Sequence, residues 1–179
     1  MSKTVDILAT AIRSAVNGEP FDNVVNKLKE LDEVKVKVWR EHESVKLPTY
    51  AKEGDACMDI YVHDVEMKSD GRIVYHTGLH FKLPDDYEME IRPRSSNTKT
   101  VAVMQNAPGT LDEGYTGELM IVHRNVDFPT IANPQYKIGD RCAQILVRRR
   151  ENIVWDEVTN IKDLGTTERG AGGFGSSGK

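Results

Sequence analysis

From Val34 onward the chain is built of short apolar runs broken by turn residues, and that pattern leaves few folds open. VKVKVWR, Val34 to Arg40, alternates apolar and basic side chains with period two, as a half-buried strand does. DIYV, RIVYHT, LHFKL, YEMEI, LMIVHRNV, CAQILVRR and NIVWDEV follow as further strand-like segments. Between them lie turn formers such as Ser69-Asp70-Gly71, Pro84-Asp85-Asp86 and Ile138-Gly139-Asp140. No helical period intervenes, so a parallel sheet with crossover helices is excluded. A mainly β sandwich, jelly roll or barrel is expected. The 179 residues, 39% hydrophobic and 29% charged, suffice for one ordinary domain with a small appendage.

The appendage is residues 1–33. Val5, Leu8, Ile12 and Ala15, with Val16, recur at helical spacing. Asn17-Gly18 ends that helix, and Pro20 suits the first turn of a second one carrying Phe21, Val24, Val25, Leu28 and Leu31. The expectation is a helical hairpin whose apolar stripes pack on each other or on the main domain. A protein partner for residues 1–33 is the alternative.

The last segment, RGAGGFGSSGK, matches two phosphate-loop patterns, G-x-G-x-x-G and G-x-x-x-x-G-K. Both work by placing glycine amides at a helix N-terminus after a strand. Here no helix follows Lys179 and the strand–helix context is missing, so neither reading stands. Yet Arg169 offers a planar fork suited to phosphate, and Phe174 is a lone aromatic in a tract of glycine and serine. An arm that orders over a nucleotide would use that mix.

A net charge of −4 argues against a general nucleic-acid binder. No apolar run approaches the roughly 20 residues that span a bilayer. Asp6 and Arg13 interrupt the only apolar stretch near the start, so no targeting signal is read. Cys57 and Cys142 are too few for a disulfide scaffold and are expected as reduced thiols of a cytoplasmic protein.

Four more stretches carry chemistry. RPRSSN, Arg92 to Asn97, groups guanidiniums and hydroxyls that can hydrogen-bond a phosphate chain. NAPGTLDEGYTGELM, Asn106 to Met120, sets an amide, an acid and an aromatic in a glycine-punctuated hairpin. GDRCAQ, Gly139 to Gln144, enters an apolar strand through a turn. AKEGDACMDIYV places Asp55 and Asp59 around a turn of small residues. Each alone is an ordinary surface loop or turn.

Together with the glycine-rich tail, in this order and spacing, they resemble the five motifs of the trimeric dUTPase family, from about Lys46 to Lys179. That resemblance implies a jelly-roll β-barrel, homotrimeric, with each active site assembled from three subunits. Residues 1–33 match nothing in the family pattern and stand as an N-terminal helical extension, with 34–165 as the core and 166–179 as a C-terminal lid arm. The implied reaction is magnesium-dependent hydrolysis of dUTP to dUMP and pyrophosphate, which keeps uracil out of DNA and supplies dUMP for dTTP synthesis.

Residue by residue, Asp112 matches the acid that activates the attacking water; an ionised carboxylate can orient and deprotonate a polarised water. Tyr115 matches the ring that packs on the deoxyribose and excludes a 2′-hydroxyl. Asn106 matches the amide beside uracil, Gly109 belongs to the same motif, and Met120 lies where strand backbone pairs with the base. Arg94, Ser95 and Ser96 match the phosphate loop, and Gln144 a side chain near the phosphates. Arg169 would meet the terminal phosphate, Phe174 would stack on uracil, and Gly175, Ser176 and Ser177 would close the arm. Mg2+ is implied on the triphosphate rather than on direct protein ligands, with Asp59 and Gln144 as outer-shell candidates; a structural place for Asp59 is the other option.

One departure is Cys57, where the first motif usually has glycine; if a positive φ were needed there, the loop would be altered. The related dCTP deaminases use a glutamate on the strand after the third motif. Here that strand reads LMIVHRNV, without an acid before Asp127. A regulatory binding module built on the same scaffold is the non-enzymatic rival, and the helical extension is where its partner would sit.

Overall fold

In a computed structural model of the chain, residues 3–29, 33–126 and 134–172 are described. Two helices come first, α1 (Lys3–Val16) and α2 (Phe21–Lys29). Among the described residues nine strands follow: β1 (Lys37–Arg40), β2 (Met58–Tyr61), β3 (Asp64–Met67), β4 (Arg72–Lys82), β5 (Tyr87–Arg92), β6 (Ala102–Met104), β7 (Gly109–Leu111), β8 (Glu118–Asn125) and β9 (Arg141–Arg149). They form two antiparallel sheets, one in the order β1-β4-β8-β6 with β3 also beside β4, the other β2-β9-β5-β7. Inward side chains from both sheets make one core, including Ile73, Tyr75, Leu119 and Ile121 from the first and Ile60, Met89, Ile91 and Ile145 from the second. Each such side chain contributes about 1.5–3 kcal/mol by leaving water. The expected mainly β architecture is therefore the one observed.

The runs RIVYHT and LHFKL are a single strand, β4, interrupted at Gly78. Gly78 has φ +64°, and a Cβ there would sit 2.7 Å from Val45 Cγ2. Glycine is required, and the pairing of β4 with β8 shifts register between His76 and His80. Cys57 carries no strain: among the described residues only Asp86, at φ 65°, is a non-glycine in the left-handed region.

Three expectations need correction. VKVKVWR is not half-buried; β1 covers only Lys37–Arg40, all exposed, as an edge strand paired to β4 alone. NIVWDEV forms no strand, because nothing among the described residues offers it a ladder; Ile153, Val154 and Trp155 stand 67%, 83% and 87% exposed. The helical hairpin is present, but Ala11 and Ser14 are its buried residues, while Val5, Leu8 and Ile12 are about half exposed. Small side chains let the two helices approach there, and the larger apolar ones turn outward. Leu31 lies outside the described residues.

Candidate active site

The hairpin joining β7 to β8 encloses a cleft of about 320 Å³ whose lining includes Asn106, Gly109, Asp112, Tyr115 and Met120. Five sequence candidates therefore meet in one place. Asn106 fastens the cleft's two walls: its Nδ2 donates to Met120 O at 3.0 Å, and its Oδ1 accepts from Val122 N at 3.0 Å. A side-chain amide donates from its nitrogen and accepts at its oxygen at once. Gly109 lies so close to the Asn106 carbonyl that a Cβ would stand 2.7 Å from that oxygen.

Asp112 follows β7 directly, and its carbonyl accepts from Tyr115 N at 3.0 Å, closing a tight turn. The Tyr115 ring folds back along the loop, where its hydroxyl donates to Glu118 O at 3.1 Å. That leaves the ring 43% exposed, as one wall of the cleft. The Asp112 carboxylate has no hydrogen bond or ion pair among the described residues, so it is available to a bound molecule.

A second cluster forms at the far end of β5. Arg94 caps the short 3-10 turn Ser95–Lys99. Its Nε donates to Asp59 Oδ1 at 2.8 Å, and its Nη1 to Ser96 Oγ at 3.2 Å. Arg141 Nη1 donates to the other oxygen, Asp59 Oδ2, at 3.0 Å. Gln144, on the strand between them, faces Asp59 of β2 and Arg92 of β5 in register, and its Nε2 donates to Pro93 O at 3.4 Å. Arg94, Ser95, Ser96, Gln144 and Asp59 are thus brought together. Charge-assisted pairs of this kind hold a guanidinium in a fixed plane, and Asp59, 7% exposed, is the residue that does so.

Arg169 is not brought to either cluster; its Nε donates to Gly172 O at 2.9 Å within its own turn. Phe174, Gly175, Ser176 and Ser177 lie outside the described residues. Sequence reasoning missed Arg141 as the second partner of Asp59, since that pairing depends on the β2–β9 register. It also missed Glu118, although Glu118 stands two residues before Met120 on the same face of β8. Among the described residues no group of three or more His, Cys, Asp or Glu side chains could hold a metal ion. Among the described residues no helix is long and apolar enough to cross a membrane. Cys57 and Cys142 are unpaired, and burial pushes the Cys142 thiol up to about 12.

Against known proteins, the dUTPase family model matches residues 43–178. The chain belongs to the dUTPase family. The deoxyuridine 5′-triphosphate nucleotidohydrolase of Fusobacterium nucleatum is 39% identical over 155 residues, which is 83% of this chain and 100% of the relative. That of Solibacter usitatus is 38% identical over 152 residues, 82% of this chain and 97% of the relative. Among solved structures, the dUTPase of Staphylococcus bacteriophage 80alpha with dUPNHPP superposes with a TM-score of 0.67 at 22% identity, covering 81% of this chain and 99% of that one. A dUTPase from phage phi11 of S. aureus, described with a structural Mg(II) ion, gives a TM-score of 0.57 at 20% identity, covering 72% and 99%. These two structures establish a shared dUTPase fold. The matched span takes in both clusters and leaves out the helical hairpin.

Proposed function

We propose that the chain hydrolyses dUTP to dUMP and pyrophosphate, keeping uracil out of DNA and supplying dUMP for dTTP synthesis. The observation that carries this reading is the hairpin cleft, in which an unpaired carboxylate, Asp112, shares one wall with an aromatic ring and strand backbone. Uracil pairs with the backbone of β8 near Met120, and the Tyr115 ring covers the deoxyribose, where a 2′-hydroxyl would find no space. Asp112 takes a proton from water as the water oxygen bonds the α-phosphorus. The bond from that phosphorus to the bridging oxygen breaks, and pyrophosphate leaves with the electron pair.

Magnesium carried by the triphosphate would neutralise its charge. In this reading no direct protein ligation is needed. Asp59 acts in this reading by orienting Arg94 and Arg141 toward the phosphates, since both its oxygens already pair with them. Ser95, Ser96 and Gln144 add hydrogen bonds, and the arm from Arg169 through Phe174, Gly175, Ser176 and Ser177 closes over the nucleotide.

One chain does not complete the site. Leu111 pairs with Met89 near the start of β5, so Asp112 lies level with that end, whereas Arg94 follows Arg92 at the other. At about 3.3 Å per residue, the six positions separate them by roughly 20 Å. A homotrimer in which neighbours contribute opposite ends removes the gap. Unpaired thiols fit a reducing, cytoplasmic setting.

The test is pyrophosphate release with magnesium from dUTP, dTTP, dCTP and UTP. Release from dUTP alone is expected, with Asp112→Asn lowering kcat by about 10³-fold. Equal turnover of the variant, or of all four nucleotides, would overturn the reading. A protein partner for the hairpin is a second reading, supported by the half-exposed Val5, Leu8 and Ile12. Removing residues 1–33 should leave turnover unchanged while releasing that partner.

A further inference from the structure

The loop from Asp112 to Glu118 is gripped from behind by even-numbered residues of β4. Lys82 Nζ donates to Glu113 O at 2.7 Å. His80 stands between two acceptors, with Nδ1 2.9 Å from Thr116 O and Nε2 3.0 Å from Glu41 Oε1. His76 is placed likewise, with Nδ1 2.9 Å from Glu118 Oε2 and Nε2 3.5 Å from Glu66 Oε2. The other oxygen of Glu118 accepts from Gly78 N at 2.8 Å. A carbonyl and an ionised carboxylate can only accept, so a ring with one N–H satisfies one partner and leaves the other facing a lone pair. Both histidines meet both partners only as imidazolium ions.

We propose that His80 and His76, held as imidazolium ions, are positioning residues that fix the loop carrying Asp112 and Tyr115, so that nucleotide binding weakens as they lose their protons. This rests on the dUTP reading for its kinetic arm alone. His80 reaches the carbonyl one residue after Tyr115, and His76 reaches the side chain of the residue whose carbonyl holds the Tyr115 hydroxyl. Losing both grips frees the ring at its backbone and at its tip.

The charges around the two rings favour the protonated state. His80 faces Glu41 after β1 and Glu118 on β8, opposed by Lys37 on β1 and Lys82 on its own strand, with the Trp39 ring 4.9 Å away between centroids. Bonding to Glu41, then to the Thr116 carbonyl, raises its pKa above the ordinary histidine value. His76 faces Glu118 on β8 and, on β3, Glu66 and its register partner Asp64; Lys68 also binds Glu66. Burial works against the charge there, but the two glutamates outweigh it and the pKa is raised. A raised folded-state pKa means that the grip is complete at lower pH and is lost as pH rises through that value.

The experiment is KM for dUTP against pH for wild type, Glu41→Gln and His80→Gln, with the Gly117 amide followed by NMR in 15N-glycine-labelled full-length protein. Ionisation of the nucleotide is common to all three and cancels in the ratios. Wild-type KM should rise about fivefold on the alkaline side, the worth of a charge-assisted hydrogen bond partly open to solvent. In Glu41→Gln the part of the step due to His80 should move to lower pH, and in His80→Gln only the part due to His76 should remain. The Gly117 resonance should titrate with the midpoint of the His80 part in wild type and stay flat in His80→Gln. Superimposed KM curves would overturn the role in binding, because a merely structural glutamate would not set a midpoint. A Gly117 amide that does not follow His80 would overturn the grip itself. If dUTP is not turned over at all, the reaction assignment falls, and the Gly117 titration still decides whether the histidines hold the loop.

Discussion

Replacing Asn106 with alanine separates two roles that the same amide could play. In the structure its donor and acceptor already link Met120 O and Val122 N, so it straps the cleft's two walls together before any nucleotide arrives. A net hydrogen bond is worth about 1 kcal/mol. Val122 N is half-buried and loses its partner almost fully, while water reaches the Met120 carbonyl in the open cleft and recovers part of the second bond. The expected loss is therefore about 1.5 kcal/mol per chain, or about 3–6 °C for a domain of this size. Thermal denaturation of the nucleotide-free protein measures it, alongside kcat/KM for dUTP, which should fall about 10- to 100-fold as the β8 backbone loses its register with the hairpin. An amide reserved for uracil would behave differently, with stability without nucleotide unchanged and only the gain from a non-hydrolysable dUTP analogue reduced. A nucleotide-free midpoint within about 1 °C of wild type would refute the strap.

Two further predictions concern stability and assembly. His123 is fully buried, both its ring nitrogens find no partner among the described residues, and burial lowers its pKa from 6.5 to about 4. Between those values the unfolded chain binds a proton that the folded chain refuses, so stability should fall by about 3 kcal/mol as pH drops from 6.5 to 4; His123→Leu should remove that increment, and identical wild-type and variant slopes would refute it. Trp155, 87% exposed in the single chain, should be covered by a neighbouring copy, so in a Trp39→Phe background acrylamide should quench the assembled protein weakly, whereas quenching as fast as free indole would leave the segment without a partner.

Strands were legible wherever the apolar alternation ran long enough to define a buried face, as in β4, β8 and β9. They were missed where a ladder rather than a pattern makes the strand: Ala102–Met104 and Gly109–Leu111 are three residues each, held by β8 and β5. NIVWDEV shows the converse, since it has the alternation of a strand but no ladder among the described residues. The apolar stripe of α1 misled for a related reason. Helical periodicity marks a face that avoids water, but it does not say which neighbour covers it, and close approach of α2 selected the small Ala11 and Ser14 instead.

The site divides along the same line. Asn106, Gly109, Asp112, Tyr115 and Met120 were readable together because a hairpin makes sequence neighbours into spatial neighbours. Asp59 with Arg94 and Arg141, or His80 with Glu41 and Thr116, required strand registers that no local pattern encodes. Register also carries the largest consequence. Because β7 runs antiparallel to β5, the acid at the end of one and the arginine after the other are driven to opposite ends of the sheet. A longer side chain cannot cross that distance, and a bend in β5 would break its ladders to both β7 and β9. If both act on one nucleotide, as the dUTP reading has it, the remaining way to unite them is a second copy, and that reading takes its assembly from the pairing direction of a three-residue strand.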